Sequence, residues 1–262
     1  MPYQTLSLDI QEKVALLRLD RPSSRNAMND EMAFEFAEAV GALASSDEAR
    51  AVVLTGAGSA FCAGGDLQGF AKWAGMAPAE VEDQLRRFYA SFLRIMDLSI
   101  PTIAALNGPA IGAGACLAAA CDTRIAAESA RIGFTFVRLG INPGMGSEYL
   151  LNRLVGPART VELLMTGEIL SAAKAQRMGL VNRVVPDETL LETAMETARR
   201  LTRLPLSILP VIKENTAAAF SESIDEILRR EAHHQAPIFT DAQFQEKVQR
   251  MLGALGRGDD EN

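Results

Sequence analysis

Two stretches of this 262-residue chain hold residues whose types and spacing suit chemistry. The denser one runs from Ile100 to Asp122, IPTIAALNGPAIGAGACLAAACD. Pro101 to Leu106 reads as a buried strand, and Asn107-Gly108-Pro109 breaks it. Gly112 and Gly114 then stand among alanines, and residues this small let a backbone come close to a ligand or another segment. The apolar run Ala113 to Ala120 is expected to continue as a buried helix. A glycine turn that feeds a helix leaves backbone N–H groups without intrahelical acceptors. Such donors suit an anion, or an oxygen that gains negative charge during a reaction.

The second stretch is VVLTGAGSAFCAGGD, a strand running straight into glycines. A dinucleotide fingerprint would need a third glycine where Phe61 stands. A Tyr-x-x-x-Lys pair is also missing: four residues after Tyr3, Tyr89 and Tyr149 come Ser7, Leu93 and Arg153. No Gly-x-Ser-x-Gly elbow occurs, which removes an α/β-hydrolase nucleophile. Cys62, Cys116 and Cys121 lack metal-site spacing, and three cysteines make a poor disulfide framework. Cys116 falls in the first turn of the central helix, where a thiol pKa can drop, although a small buried hydrophobe is the commoner role. His233 and His234 are adjacent on a helix and are expected at the surface.

The elements around these stretches follow an α/β pattern. Thr5 to Ile10 and Lys13 to Leu19 predict two strands about a turn at Gln11-Glu12. Asn29 or Asp30 caps an expected helix from Glu31 to Ala44, with Met32, Phe36, Ala39, Val40 and Leu43 on one face. Ala51 to Thr55 is a strand, and Pro78 starts a helix toward Met96 with Val81, Leu85, Phe88, Phe92 and Ile95 as its apolar face. Further strands are expected at Thr123 to Ala126 and Leu180 to Val185. Helices are expected from about Ser147, Ala158 and Ala172. From Glu188 onward only helical periodicity remains, with Pro205, Pro210 and Pro237 expected to break it. The tail from Phe220 to Leu255 is amphipathic and needs a partner surface. The expected division is a core of residues 1–204 and a helical region of residues 205–262.

Five groups of residues occur in one order: Asp20-Arg21-Pro22 with Asn26-Ala27-Met28; Ala60 to Leu67; the 100–122 stretch; Leu139 to Gly146; and Thr166-Gly167 with Ala175 and Gly179-Leu180-Val181. Together they resemble the crotonase family, the enoyl-CoA hydratases and isomerases. The resemblance implies a crotonase-like spiral of ββα units with a C-terminal helical trimerisation region, assembled as a trimer or a dimer of trimers. It implies an acyl-CoA thioester whose carbonyl lies between two backbone donors, Gly65 and Ala113. Coenzyme A is then part of the substrate, and no separate cofactor is expected. Its pantetheine and adenine are expected along Arg25, Ala27 and the loop Ala63, Asp66, Leu67 and Gln68, with Arg25 as a phosphate donor. Trp73 falls in a segment that lines the acyl pocket or anchors a flap.

The departures from that pattern bear on the reaction. The positions at which such hydratases carry their two glutamates are Cys116 and Phe136 here, and the acid of some isomerases falls at Gly144. These three positions are expected to border the acyl group without supplying a carboxylate. Glu148 lies one helical turn after Gly144, and a side chain that leans toward its helix N-terminus gives it a path to the pocket. The plainer role is a carboxylate placed to suit the helix dipole. The expected function is a hydratase/isomerase-like enzyme acting through a thioester enolate. The alternatives are a non-catalytic acyl-CoA-binding protein and a divergent acyl-CoA decarboxylase or thioester hydrolase.

Composition bounds the rest. A hydrophobic content of 48% with 23% charged residues is that of an ordinary globular protein. A net charge of −7 argues against a nucleic-acid surface. No apolar run reaches membrane-spanning length, and the N-terminus lacks a signal-peptide pattern. A cytoplasmic setting is therefore expected.

Overall fold

The structure, a computed structural model, describes residues 3–205 and 207–255. The chain opens with Leu6–Gln11 (β1) and Val14–Leu19 (β2), an antiparallel hairpin in register from Leu6 opposite Leu19 to Gln11 opposite Val14. The two turn residues, Glu12 and Lys13, have φ of 50° and 67°. Positive φ at both positions gives a turn whose twist matches the strands, even without the usual Asn-Gly pair.

The helix Asp30–Ala44 (α1) starts where Asn29 Oδ1 accepts the Met32 amide at 2.9 Å. Its buried face carries Met32, Phe36, Ala39, Val40 and Leu43, as the spacing predicts. Next come Ala51–Gly56 (β3), Leu67–Ala71 (α2) and Pro78–Leu93 (α3). The α-helix stops at Leu93, short of Met96, because Arg94–Asp97 tightens into a 3-10 turn. The central stretch forms Thr102–Leu106 (β4), Ala110–Ile111 (β5) and Ala113–Ala120 (α4). All eight residues of α4 are buried, so it has no solvent face. Thr123–Ala127 (β6), Arg131–Gly133 (β7), Ser147–Val155 (α5) and Pro157–Thr166 (α6) follow. Ile169–Ser171 (β8), Ala172–Arg177 (α7), Arg183–Val185 (β9) and Leu190–Thr202 (α8) complete this part.

Six strands form one sheet in the order β1-β2-β3-β4-β6-β9, parallel throughout except for the first hairpin. A second sheet has the order β5-β7-β8, and isolated parallel bridges extend its row: Cys62 with Ala110, and Met28 with Gly65. Each turn of chain therefore lays one strand on the large sheet, a short strand or bridge on the small one, and then a helix. The repeat is structural only; the sequence shows none. The small sheet was not predicted, because strands of two or three residues are too short to display a period of two.

The chain divides into two compact units, Met1–Leu206 and Ser207–Asn262. The second contains Leu209–Ala218 (α9), Ile224–Thr240 (α10) and Ala242–Leu255 (α11). Pro205 lies between helices and Pro210 in the first turn of α9, where a missing N–H costs nothing. Pro237 does not break the tail: α10 runs through it to Thr240. The helix there forgoes the bond that a backbone N–H at 237 would make to the His233 carbonyl. Arg230 ties this unit together, pairing with Glu214 at 2.5 Å and with Glu222. None of the unit's described residues is buried within it. No helix of the described residues is long and apolar enough to cross a membrane.

Candidate active site

The two glycine-rich stretches meet in the first unit, and polar side chains set the geometry. Asn26 is buried; its amide donates to the carbonyls of Ala57 at 2.9 Å and Ala60 at 2.8 Å, and its Oδ1 accepts the Arg21 amide at 2.9 Å. Arg21 pairs with Asp66 at 3.2 Å and donates to the Ala27 carbonyl at 2.5 Å. These bonds pin the 21–28 loop to the 57–66 loop. Met28 then bridges Gly65: its amide donates to the Gly64 carbonyl and its carbonyl accepts the Asp66 amide, both at 2.8 Å. In a parallel bridge of this kind the bracketed residue directs its own N–H to the other side.

The helix start lies across from it. Gly64 has φ of 102°, a glycine conformation, and a Cβ there would stand 2.8 Å from the Ile111 carbonyl and 3.7 Å from the Ala113 amide nitrogen. Gly112 donates to the Gly133 carbonyl at 2.7 Å, and Cys116 closes the first helical turn on Gly112 at 3.1 Å. Ala113 is the first residue of α4, so its amide has no intrahelical acceptor. Among the described residues, neither the Gly65 nor the Ala113 amide donates to a protein acceptor.

Both residues border one cavity of about 750 Å³. Ala63, Gly65, Leu67, Ala113 and Phe136, all predicted, line it, and Trp73 does as well. Trp73 also anchors its segment, donating to Gln84 at 2.7 Å and packing on Phe70 with ring centroids 5.1 Å apart. Asp66 caps α2 through the Gln68 amide at 3.1 Å, and both residues line a smaller hollow of about 180 Å³ beside the cavity. Arg25 is exposed, and its carbonyl accepts the Ala63 amide at 2.9 Å. Glu148 is exposed on the first turn of α5, accepts the Ser147 hydroxyl at 3.0 Å and does not line the cavity.

Cys116 and Gly144 lie just behind the wall, with Cys116 Sγ 3.7 Å from the Gly144 carbonyl. Burial, reinforced by the Glu148 charge, pushes the Cys116 thiol well above its ordinary value. Burial likewise raises Cys62 to about 12. Both are neutral thiols, so the position of Cys116 at a helix start does not activate it.

The residue that sequence reasoning missed is Tyr89. It lines the cavity, and a Cβ on Gly144 would come 2.6 Å from its hydroxyl. The available signal was the spacing Val81, Leu85, Tyr89 on α3, four residues apart and all lining the cavity. Phe92 and Ile95, assigned to the same face, turn into the core.

Comparison with known proteins follows the same line. The model of the enoyl-CoA hydratase/isomerase family matches residues 9–254. A protein of Escherichia coli K12 named 1,2-epoxyphenylacetyl-CoA isomerase is 38% identical over 93% of each chain. One of Mycobacterium bovis, named "Probable enoyl-CoA hydratase echA8", is 35% identical over 90% of this chain and 91% of its own. The crystal structure of an enoyl-CoA hydratase subunit from Geobacillus kaustophilus superposes with a TM-score of 0.88 at 35% identity, covering 97% of each chain. One from Mycobacterium smegmatis gives 0.87 at 31%, covering 95% of this chain and 96% of that one. The two-sheet spiral is thus the crotonase fold, and the chain belongs to the enoyl-CoA hydratase/isomerase family of enzymes.

Proposed function

We propose that the protein binds an acyl-CoA thioester with its carbonyl oxygen between the Gly65 and Ala113 amides and acts through the enolate that forms there. The observation that carries this reading is the pair of amides without protein acceptors beside one largely apolar cavity. A thioester that loses its α-proton places negative charge on the carbonyl oxygen. Each preorganised donor at that oxygen lowers the barrier by about 3 kcal/mol. The cavity, walled by Phe70, Phe88 and Phe136 among others, suits an apolar acyl group. Arg25, exposed beside the loops, is placed to meet a coenzyme A phosphate. The second unit, with no buried residue among those described, is read as the surface through which copies of the chain associate into a trimer or a dimer of trimers.

One observation favours a second reading, a binding protein without turnover: no residue lining the cavity is a carboxylate, histidine or cysteine. A single assay separates the two. The protein is incubated with a saturated acyl-CoA in deuterated water, and α-proton exchange is followed by mass. The first reading expects exchange above buffer. It also expects a loss of about 100- to 1000-fold in Ala113→Pro, which deletes one donor at a helix position that tolerates proline. Binding without exchange would instead assign a non-catalytic role.

A further inference from the structure

We propose that Tyr89 is the proton-transfer residue of this cavity, its phenol giving a proton to the carbon next to the thioester carbonyl and its phenolate taking one in the reverse direction. The inference rests on the reading that Gly65 and Ala113 hold an enolate oxygen. Tyr89 is half-buried on α3 and lines the cavity with both of those residues. Its hydroxyl rests against the 142–145 loop, 2.6 Å from where a Gly144 side chain would begin. Behind that loop lies Cys116, one helical turn along α4 from Ala113, with its sulfur 3.7 Å from the Gly144 carbonyl. The hydroxyl therefore stands at the 142–145 loop, on the wall of the same cavity that the leading amide of α4 borders.

The other titratable residue in the lining is Arg138, exposed and permanently charged. The groups bearing on the phenol are few. α4 presents the neutral Cys116 thiol, and α5 carries Glu148, whose charge reaches that thiol. α1 meets α3 through the rings of Phe36 and Phe92, centroids 5.2 Å apart. Arg86 and Arg87 of α3 itself are exposed. Burial raises the Tyr89 pKa, so the group is a proton donor at neutral pH and a strong base when ionised. In the step, the Tyr89 O–H bond breaks as the Cα–H bond forms from the enolate electron pair. The carbonyl is restored, the charge passes to the phenolate, and solvent water reprotonates it.

The test measures hexanoyl-CoA exchange in deuterated buffer from pH 6 to 10, buffer-corrected, with binding and thermal unfolding measured alongside. The wild-type rate is expected to climb about tenfold per pH unit, tracking the phenolate fraction. Tyr89→Phe is expected to lose at least about 100-fold in exchange and to flatten that profile, with hexanoyl-CoA affinity within about threefold. Exchange in Tyr89→Phe within about threefold of wild type overturns the inference, as does a fall matched by lost affinity. If Ala113→Pro still abolishes exchange in that case, the reading of the amides stands without Tyr89. Binding by the wild type with no exchange at any pH overturns both.

Discussion

A methyl group at Gly114 would meet the Cys62 carbonyl at 2.4 Å and its sulfur at 2.9 Å. The carbonyl is backbone and cannot swing aside, and it already accepts the Ile111 amide at 2.9 Å. Gly114→Ala is therefore expected to destabilise the protein by about 1–3 kcal/mol, read as a lower urea midpoint. It should also spoil the approach of the 62–65 loop to α4, so α-proton exchange falls with stability. The spacing Gly112-Ala113-Gly114 already announced a close backbone approach, because small residues have few other uses in an apolar run. Tyr89 was not legible in the same way. Its placement depends on a loop 55 residues further on (144 − 89), and nothing local marks that meeting.

At the scale of elements, Glu35 fastens the start of the chain to α1. It is buried and accepts the amides of Gln4 at 2.7 Å and Thr5 at 2.8 Å and the Thr5 hydroxyl at 2.5 Å. Burial alone would raise its pKa, but the three hydrogen bonds outweigh it and hold the carboxyl below its ordinary value. A depressed folded-state pKa contributes stability above the unfolded value, lost as pH falls through the folded one. Glu35→Gln should cost about 1.5–3 kcal/mol near pH 7. The gap to wild type should close on acidification below about pH 4, as denaturant melts across pH will report. The long helices and the large sheet could be read from periodicity and caps, with Asn29 as the clearest case. The hairpin turn, expected at Gln11-Glu12 from its flanking strands alone, falls one residue later at Glu12-Lys13, since neither pair carries a turn signature. The small sheet could not be read, because β5 and β7 exist only by pairing with each other and with β8.

For the whole molecule, the second unit poses the question of association. Ile224 is 72% exposed and Leu228 is 54% exposed, one helical turn apart on α10. Exposed apolar residues at that spacing form a stripe that water disfavours. The double substitution Ile224→Asp and Leu228→Asp is expected to lower the particle mass in light scattering to that of one chain, with the first unit still folded by circular dichroism. An unchanged mass would place any contact between copies elsewhere. The exposed apolar face of this tail was legible in its amphipathic pattern. That Pro237 would sit inside a helix was not, because a proline with helical turns before it ordinarily ends or kinks the helix.

The large sheet grows in chain order, each parallel strand joining the edge left by the one before. Parallel neighbours in it are far apart in sequence, so each addition closes a long loop and is slow. A ribosome delivers the strands in the same sequence, so synthesis can build the sheet outward from its first hairpin. A polypeptide stopped partway would carry an uncapped β edge, the kind of surface on which unfinished chains stick to one another.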